Sequence, residues 1–354
     1  MKVILLAPTP PPTGGIAGWT VRMQNASLKN EWIVEVVDEK VIGNRDVFGN
    51  NTKKKLVIEI KRCFNIWNNL WKVLKDEDAK VVHSCIPAGT TSMIREYICA
   101  IITKIKKRKF IIHYRCTIPN MVKSRTGNFM FRLLTNKSDL VIVLNTPSKQ
   151  FVNKQCKTPV VLIPNFVEES AVIKENTKII TQDINKVLYV GGVIESKGCC
   201  DIISVAKEFP DIQFRLVGNP DKTILKSDKP SNVTLCGEMS KTEVRQEFEK
   251  ADVFMFVTYF LGEGFSNALV EAMANGLPCI VSDWAANCDM IEEHGGIVVL
   301  KKDISAMVLA IKELQGDKNR RKAQSNWNIS KVKENYIDNI VTDMYVNAYE
   351  GVLN

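Results

Sequence analysis

Residues 252–284, DVFMFVTYFLGEGFSNALVEAMANGLPCIVSDW, decide the fold. The apolar run DVFMFV ends in a loop of small and polar residues, a helix begins near Ser266, and a second apolar run, PCIVS, follows. Unbroken apolar strands on either side of a helix belong to parallel sheets covered on both faces. With the helix starting at Ser266, Leu269, Ala272, Met273 and Gly276 fall on one side and pack inward, whereas Glu271 points the other way. Glu263 stands in the loop above the preceding strand, so the two carboxylates can face one cleft. On periodicity alone, an exposed helical glutamate is usually a solvated residue.

The same alternation runs through the chain. In the first half, strand patterns lie near 3–7, 33–37, 80–84, 109–113, 139–144 and 159–163. In the second half they lie near 187–190, 212–217, 232–236, 252–257, 278–281 and 296–300. Two sets of six strands separated by helices predict an α/β protein with two doubly wound, Rossmann-like parallel-sheet domains facing across a cleft. The expected division is 1–167 for the first domain, a polar linker at 168–186, 187–330 for the second domain, and a helical segment at 331–354 packing back on the first. Ligands of such folds bind beyond the carboxyl ends of the strands.

Composition narrows the class. The chain has 354 residues, 45% hydrophobic and 25% charged, within the globular range. No apolar run approaches the ~18 residues of a membrane span, and Val3–Ala7 is too short for a signal peptide, which predicts a cytoplasmic chain. None of the ten cysteines forms a C-x-x-C pair, and the histidines are scattered at 83, 113 and 294, so no metal site is expected. Asp76–Glu77–Asp78 matches a D-x-D pattern, but it precedes a strand instead of following one. The net charge of +9 divides into +16 over residues 1–165 and −7 over 166–354, implying different partners for the two halves.

Two glycine loops could hold phosphate. In PTPPPTGGIAGWT, Gly14, Gly15 and Gly18 lead into a helix whose free N–H groups and dipole favour an anion. Asp38, twenty residues beyond Gly18, could hold a ribose, which keeps an NAD-dependent oxidoreductase in view; Thr13 stands where that fingerprint wants its first glycine. The second loop, VLYVGGVIESKGCCDII, is not a Walker A loop, because Lys197 precedes Gly198 instead of following a glycine next to Ser or Thr. Lys197 could still meet a diphosphate as a point charge.

The stretch EGFSNALVEAMANGLPCIVSD is similar to the E-x7-E motif of the glycogen-synthase-like family of retaining glycosyltransferases (family 4, GT-B fold). VGGVIESKG resembles that family's V-G-R-x-x-x-x-K-G, FRLVGNP its strand and glycine loop, and VVLIPNFVE its interdomain I-P-N-G-V-D. The match covers nearly the whole chain, strongly from 187 to 300. The resemblance implies that Glu271 binds the ribose of a nucleotide-sugar donor, and that Glu263 contacts the transferred sugar. Phe265, Ser266 and Asn267 would meet the sugar and diphosphate through their backbone. Lys197 would neutralise the departing diphosphate. Gly15, Gly191, Gly192 and Gly218 would line the donor, Glu238 and Met239 would border the base, and His113 would face the sugar. The family's diphosphate-binding arginine is Gly192 here, which leaves open what replaces it.

The expected activity is retaining transfer of a hexosyl group from a UDP-sugar, with a GDP-sugar as the alternative, to a glycan or lipid-linked glycan in bacterial cell-surface polysaccharide synthesis. No cofactor, metal or nucleic-acid partner is expected. The segment KKKLVIEIKRCFNIWNNLWKVLK places Leu56, Ile60, Phe64, Trp67, Trp71 and Leu74 near one helical face, flanked by lysines. A helix of this kind fits either a protein core or an anionic membrane surface, and for Leu56 and Ile60 the core is expected. The competing readings are an oxidoreductase and a membrane-associated scaffold with a degenerate transferase site.

Overall fold

The computed structural model describes residues 1–11, 14–26, 28, 32–40 and 56–354. They form two compact units, one of Met1–Asn165 with Asn339–Asn354 and the other Phe166–Asp338.

The first unit has strands β1 (Lys2–Ala7), β2 (Ile33–Asp38), β3 (Ala79–Ile86), β4 (Lys109–Tyr114), β5 (Leu140–Val143) and β6 (Val160–Leu162). Its helices are α1 (Gly15–Asn25), α2 (Leu56–Val73), α3 (Thr90–Ile105), α4 (Ile118–Met121), α5 (Arg125–Lys137) and α6 (Thr146–Gln155). The sheet is parallel, in the order β2-β1-β3-β4-β5-β6, so the chain reverses direction between β1 and β3. One face buries Val82, Ile86, Ile112 and Tyr114 against Leu70 of α2, Met93 of α3 and Phe131 of α5. The alternate residues, His83 and His113, point to the other face, as strand periodicity requires.

The second unit has β7 (Lys186–Val190), β8 (Gln213–Val217), β9 (Val233–Gly237), β10 (Val253–Phe256), β11 (Cys279–Ser282) and β12 (Gly296–Val299). Between and after them run α7 (Cys199–Ala206), α8 (Lys222–Lys226), α9 (Lys241–Lys250), α10 (Asn267–Ala274), α11 (Asn287–Ile291), α12 (Ile304–Gly316) and α13 (Lys318–Asn335). The order β12-β11-β10-β7-β8-β9 is parallel throughout and places the reversal between β7 and β10. A reversal of this kind opens a crevice at the carboxyl ends of the two flanking strands.

The helical segment expected at 331–354 is instead the end of one helix, α13, and a second, α14 (Asp338–Gly351). At the break, the Val167 N–H donates to the Tyr336 carbonyl at 2.9 Å, and Ile337 forms a parallel bridge with Val167. These backbone bonds satisfy groups that a continuous helix would otherwise use. α14 joins the first unit, where Val341, Tyr345, Val346 and Tyr349 are fully buried or nearly so. Each fully buried valine contributes about 2 kcal/mol, so the segment is held by its own core contacts. Residues 168–186 are not a bare linker: they carry a short 3-10 turn at Glu169–Ala171 and the buried Ile184.

α2 also departs from the sequence reading. Ile66 and Leu70, with Leu74 just past its end, are its core residues, whereas Ile60, Phe64 and Trp71 are 46%, 62% and 39% exposed. Lys53, Lys54, Lys55 and the Leu56 side chain lie outside the described residues.

Candidate functional site

In the second unit the site is built at the β7/β10 reversal. β7 runs into Gly191 and Gly192, then a 3-10 turn at Glu195–Lys197, and Gly198 in the left-handed region (φ 81°) turns the chain into α7. Gly198 is required twice over, because a Cβ there would also lie 2.3 Å from the Val257 carbonyl oxygen beyond β10. The Tyr259 N–H donates to the Ser196 carbonyl at 2.9 Å, binding the two loops together. Gly191 and Gly218 (φ 147° and 133°) touch backbone to backbone, since a Cβ on Gly218 would fall 1.8 Å from the Gly191 oxygen.

This stitching brings Lys197 to Glu263, 66 residues away in sequence, and its ammonium donates to Oε2 of the carboxylate. Both side chains are largely shielded, at 19% and 10% exposed. The ammonium also stands 4.9 Å from the Phe260 ring centre. Glu263 is fixed by a turn in which its N–H donates to the Phe260 carbonyl, and that carbonyl also accepts from Trp284 Nε1 at 2.8 Å. Phe265 and Ser266 are buried, and Ser266 caps α10 by accepting from the Leu269 N–H. α10 buries Leu269, Val270, Ala272, Met273 and Ala274, which leaves Asn267, Ala268 and Glu271 as its one partly open face. Glu238 is exposed and Met239 half-buried, in the loop between β9 and the capped start of α9. At position 192 there is only backbone, whose carbonyl accepts from the Tyr189 hydroxyl at 2.8 Å.

The first unit presents a different set. α1 begins at Gly15 with no side-chain cap at Gly14, and among the described residues nothing beyond the adjoining backbone lies within 4 Å of where a Cβ would stand at Gly14, Gly15 or Gly18. No described neighbour crowds these glycines, and they leave room for a ligand's approach. Thr13 lies outside the described residues. The Asp38 carboxylate accepts from the Thr9 N–H, the Thr9 hydroxyl and the Lys40 N–H at 2.6–3.0 Å, so it ties together the loops after β1 and β2. That engagement gives the Asp38 carboxylate a structural role in its own unit. Asp76 pairs with Lys2 and accepts from the Asp78 N–H, which places the D-x-D match in a turn at the amino end of β3.

His113 is fully buried and lies beside His83, not scattered from it. Arg115 Nη1 lies 3.3 Å from His113 Nε2; His113 Nδ1 lies 3.1 Å from His83 Nε2; and His83 Nδ1 lies 2.8 Å from the Tyr349 hydroxyl. One tautomer set satisfies all three contacts: Arg115 donates to Nε2, His113 Nδ1–H donates to His83, and His83 Nδ1–H donates to Tyr349. Trp19 and Tyr345 enclose the pair edge-on and at a tilt. Burial first, and the Arg115 charge second, push the His83 pKa down to about 3 and His113 well below the usual histidine range. Cys85 joins them, and the ligand atoms of all three lie within 4.8 Å of one another. A metal there would need the ring nitrogens that the hydrogen-bond chain uses, beside a guanidinium that repels it.

Arg115, missed in the sequence, also donates from Nη2 to Asn165 Oδ1 at 2.6 Å. Its one signal was a charged residue two positions after His113, on the same strand face.

Residues 184–317 match the family described as glycosyl transferases group 1. The chain is 26% identical over 204 residues to an uncharacterized glycosyltransferase of Methanocaldococcus jannaschii, and the match spans 55% of each. It is 24% identical over 274 residues to a processive diacylglycerol alpha-glucosyltransferase of Acholeplasma laidlawii, covering 70% of this chain and 74% of that one. A UDP-Gal:alpha-D-GlcNAc-diphosphoundecaprenol alpha-1,3-galactosyltransferase of Escherichia coli is 29% identical over 150 residues, or 37% and 38% of the two chains. Among solved structures, a sucrose-phosphate synthase from Thermosynechococcus elongatus superposes with a TM-score of 0.77 at 16% identity, covering 99% of both chains. HepE of Anabaena, in complex with UDP, superposes with a TM-score of 0.75 at 13% identity, covering 99% and 100%. At such identities the structural likeness speaks to the fold alone, the GT-B type with two Rossmann-like units.

Proposed function

Residues 184–317 match the glycosyl transferases group 1 family, and from that premise we propose that the protein moves a sugar from a nucleotide-diphosphate donor to a glycan or lipid-linked glycan acceptor. A UDP-sugar is the favoured donor, in keeping with the UDP complex of HepE. The relatives that act on a diacylglycerol and on a diphosphoundecaprenol-linked sugar support the lipid-linked acceptor and a place in cell-surface polysaccharide synthesis.

The observation that carries the reading is the Lys197–Glu263 pair at the reversal of the second sheet. A nucleoside diphosphate arriving there meets a cation already desolvated by its surroundings. As the bond from the sugar C1 to the β-phosphate oxygen breaks, Lys197 and the N–H groups ahead of α10 stabilise the charge that develops on the phosphate. The acceptor hydroxyl attacks C1 from the same face, and its proton passes to the departing phosphate oxygen, so configuration is retained. Freed from Lys197, Glu263 turns to the sugar hydroxyls. Glu271, on the open face of α10, takes the ribose. With the diphosphate charge met this way, the reaction calls for no metal ion. Gly192 leaves the diphosphate with one side-chain cation from this loop.

The test is a screen of nucleotide sugars for release of nucleoside diphosphate, with wild type and Glu263→Ala side by side. Turnover of one donor by wild type, reduced at least about a hundredfold in Glu263→Ala, is the expected result. Equal and negligible rates for both, across UDP- and GDP-sugars, would leave a scaffold with a degenerate site.

A further inference from the structure

We propose that Trp284 is a positioning residue for the Lys197–Glu263 pair, acting through the backbone of Phe260; the proposal rests on the transferase reading of that pair. Trp284 stands just past the end of β11, the strand that pairs with β10. Its indole N–H donates to the Phe260 carbonyl at 2.8 Å, and the Glu263 N–H donates to the same oxygen at 3.0 Å. A carbonyl oxygen has two lone pairs, so these two bonds fill it. The Phe260 ring centre lies 4.9 Å from the Lys197 ammonium. One residue thus meets both members of the pair: its carbonyl holds the Glu263 turn, and its ring faces Lys197. The turn's own apolar side chains do little to hold it, since Phe260 and Leu261 are 39% and 48% exposed. A turn with so little buried apolar surface opens readily unless hydrogen bonds close it.

The surroundings of Trp284 aim its indole at this carbonyl. Ala285 lies in the left-handed region at φ 56°, a conformation unfavourable to a residue with a Cβ. Hydrogen bonds on either side keep it there. The Trp284 N–H donates to the Ser282 carbonyl at 2.8 Å, and the Asn287 N–H to the Trp284 carbonyl at 3.1 Å. The buried Asn287 side chain also donates to the Ser282 carbonyl at 3.1 Å. The Lys301 ammonium sits 4.2 Å over the indole ring, and the Lys301 N–H is tied to the Asp283 carboxylate at 2.9 Å. A cation on the ring face fixes the plane of the indole and leaves its N–H edge for Phe260. Next to it, Ser282 Oγ donates to the Thr258 carbonyl at 2.5 Å, and the Thr258 hydroxyl accepts from the Phe260 N–H at 3.2 Å. The end of β11 therefore grips the loop after β10, and the Trp284 bond is the one at the carbonyl that Glu263 shares. A strained residue kept in place by its neighbours points to a functional constraint.

Two variants of the full-length protein test this. Trp284→Phe keeps a ring under Lys301 and removes the N–H, whereas Trp284→His restores an N–H, at Nε2, the same number of bonds from Cγ. Hydrogen exchange of the amides at 260–264 should be at least about tenfold faster in Trp284→Phe and return toward wild type in Trp284→His. With the accepted nucleotide sugar, Trp284→Phe should lower kcat about tenfold and leave the donor KM within about twofold of wild type. Trp284→His should recover most of that loss. In a Glu263→Gln background, Trp284→Phe should cost no more than about twofold further, because both changes act through one group. A tryptophan that only stabilises the fold would give the same loss in either background, and that result overturns the proposal. Unchanged exchange at 260–264, or wild-type kcat in Trp284→Phe, overturns it as well. Wild type that turns over no donor refutes the transferase reading instead, and the exchange measurement then still decides whether Trp284 holds the turn.

Discussion

Replacing Glu263 by glutamine should tighten binding of the free nucleoside diphosphate while slowing transfer. In the ligand-free protein the Lys197 ammonium is held by Glu263, both groups being at least four-fifths shielded from solvent. Two unit charges at contact interact by about 4 kcal/mol at an effective dielectric near 20. Desolvation of both groups offsets much of that, leaving a net of about 1–2 kcal/mol that an incoming diphosphate must overcome. Glutamine keeps the shape and a hydrogen bond to Lys197 but removes the competing charge. Titration calorimetry with the diphosphate of the accepted donor should therefore give a Kd about tenfold lower for Glu263→Gln, the equivalent of ~1.4 kcal/mol. The gain should shrink as salt screens the site. Turnover should fall at least about a hundredfold, because the same carboxylate would otherwise contact the reacting sugar. Diphosphate affinity in the variant equal to or weaker than wild type would refute the competition argument, provided the two proteins unfold at the same urea concentration.

Two further outcomes follow from the packing. Gly198→Ala forces a left-handed alanine whose Cβ meets the Val257 carbonyl oxygen at 2.3 Å, so the urea midpoint should report a loss of about 3 kcal/mol. Gly15→Ala, with open space around its Cβ, should stay within about 0.5 kcal/mol; equal effects for the two would refute the close-approach argument. Acid should destabilise the first unit, because below about pH 6.5 the unfolded chain takes up a proton that folded His83, with its pKa pushed down to about 3, refuses. From about pH 7.5 to about pH 5 that single group removes about 2 kcal/mol. His83→Gln should recover this much of the pH dependence, measured as the difference between urea midpoints, and an unchanged dependence would show that His83 is not its source.

The twelve strands were legible within one or two residues, because a parallel sheet buried on both faces leaves unbroken apolar runs such as KVILLA and DVFMF. The α10 pattern also read correctly, with Glu271 on the open side of the helix. What the sequence hid depends on strand order. Lys197 and Glu263 meet only because β7 and β10 are neighbours, and His83 reaches Tyr349 across 266 residues because α14 returns to the first unit. The helix break after Asn335 was invisible because Val332, Tyr336, Ile340 and Met344 keep helical spacing straight through it. α2 misled for a related reason: two apolar stripes on one helix look like a single broad one until the sheet shows which it covers.

The return of residues 339–354 to the first unit also sets an order of events during synthesis. Strands β1 to β6 leave the ribosome first, yet the face that carries His83, His113 and Trp19 stays uncovered until Tyr345 and Tyr349 have emerged. Domains usually fold as the chain is made, amino-terminal first. Here the second unit can close while the first still waits for its lid. The unit whose strands are made first is therefore the last to be completed, and until then its aromatic face is open to misassembly.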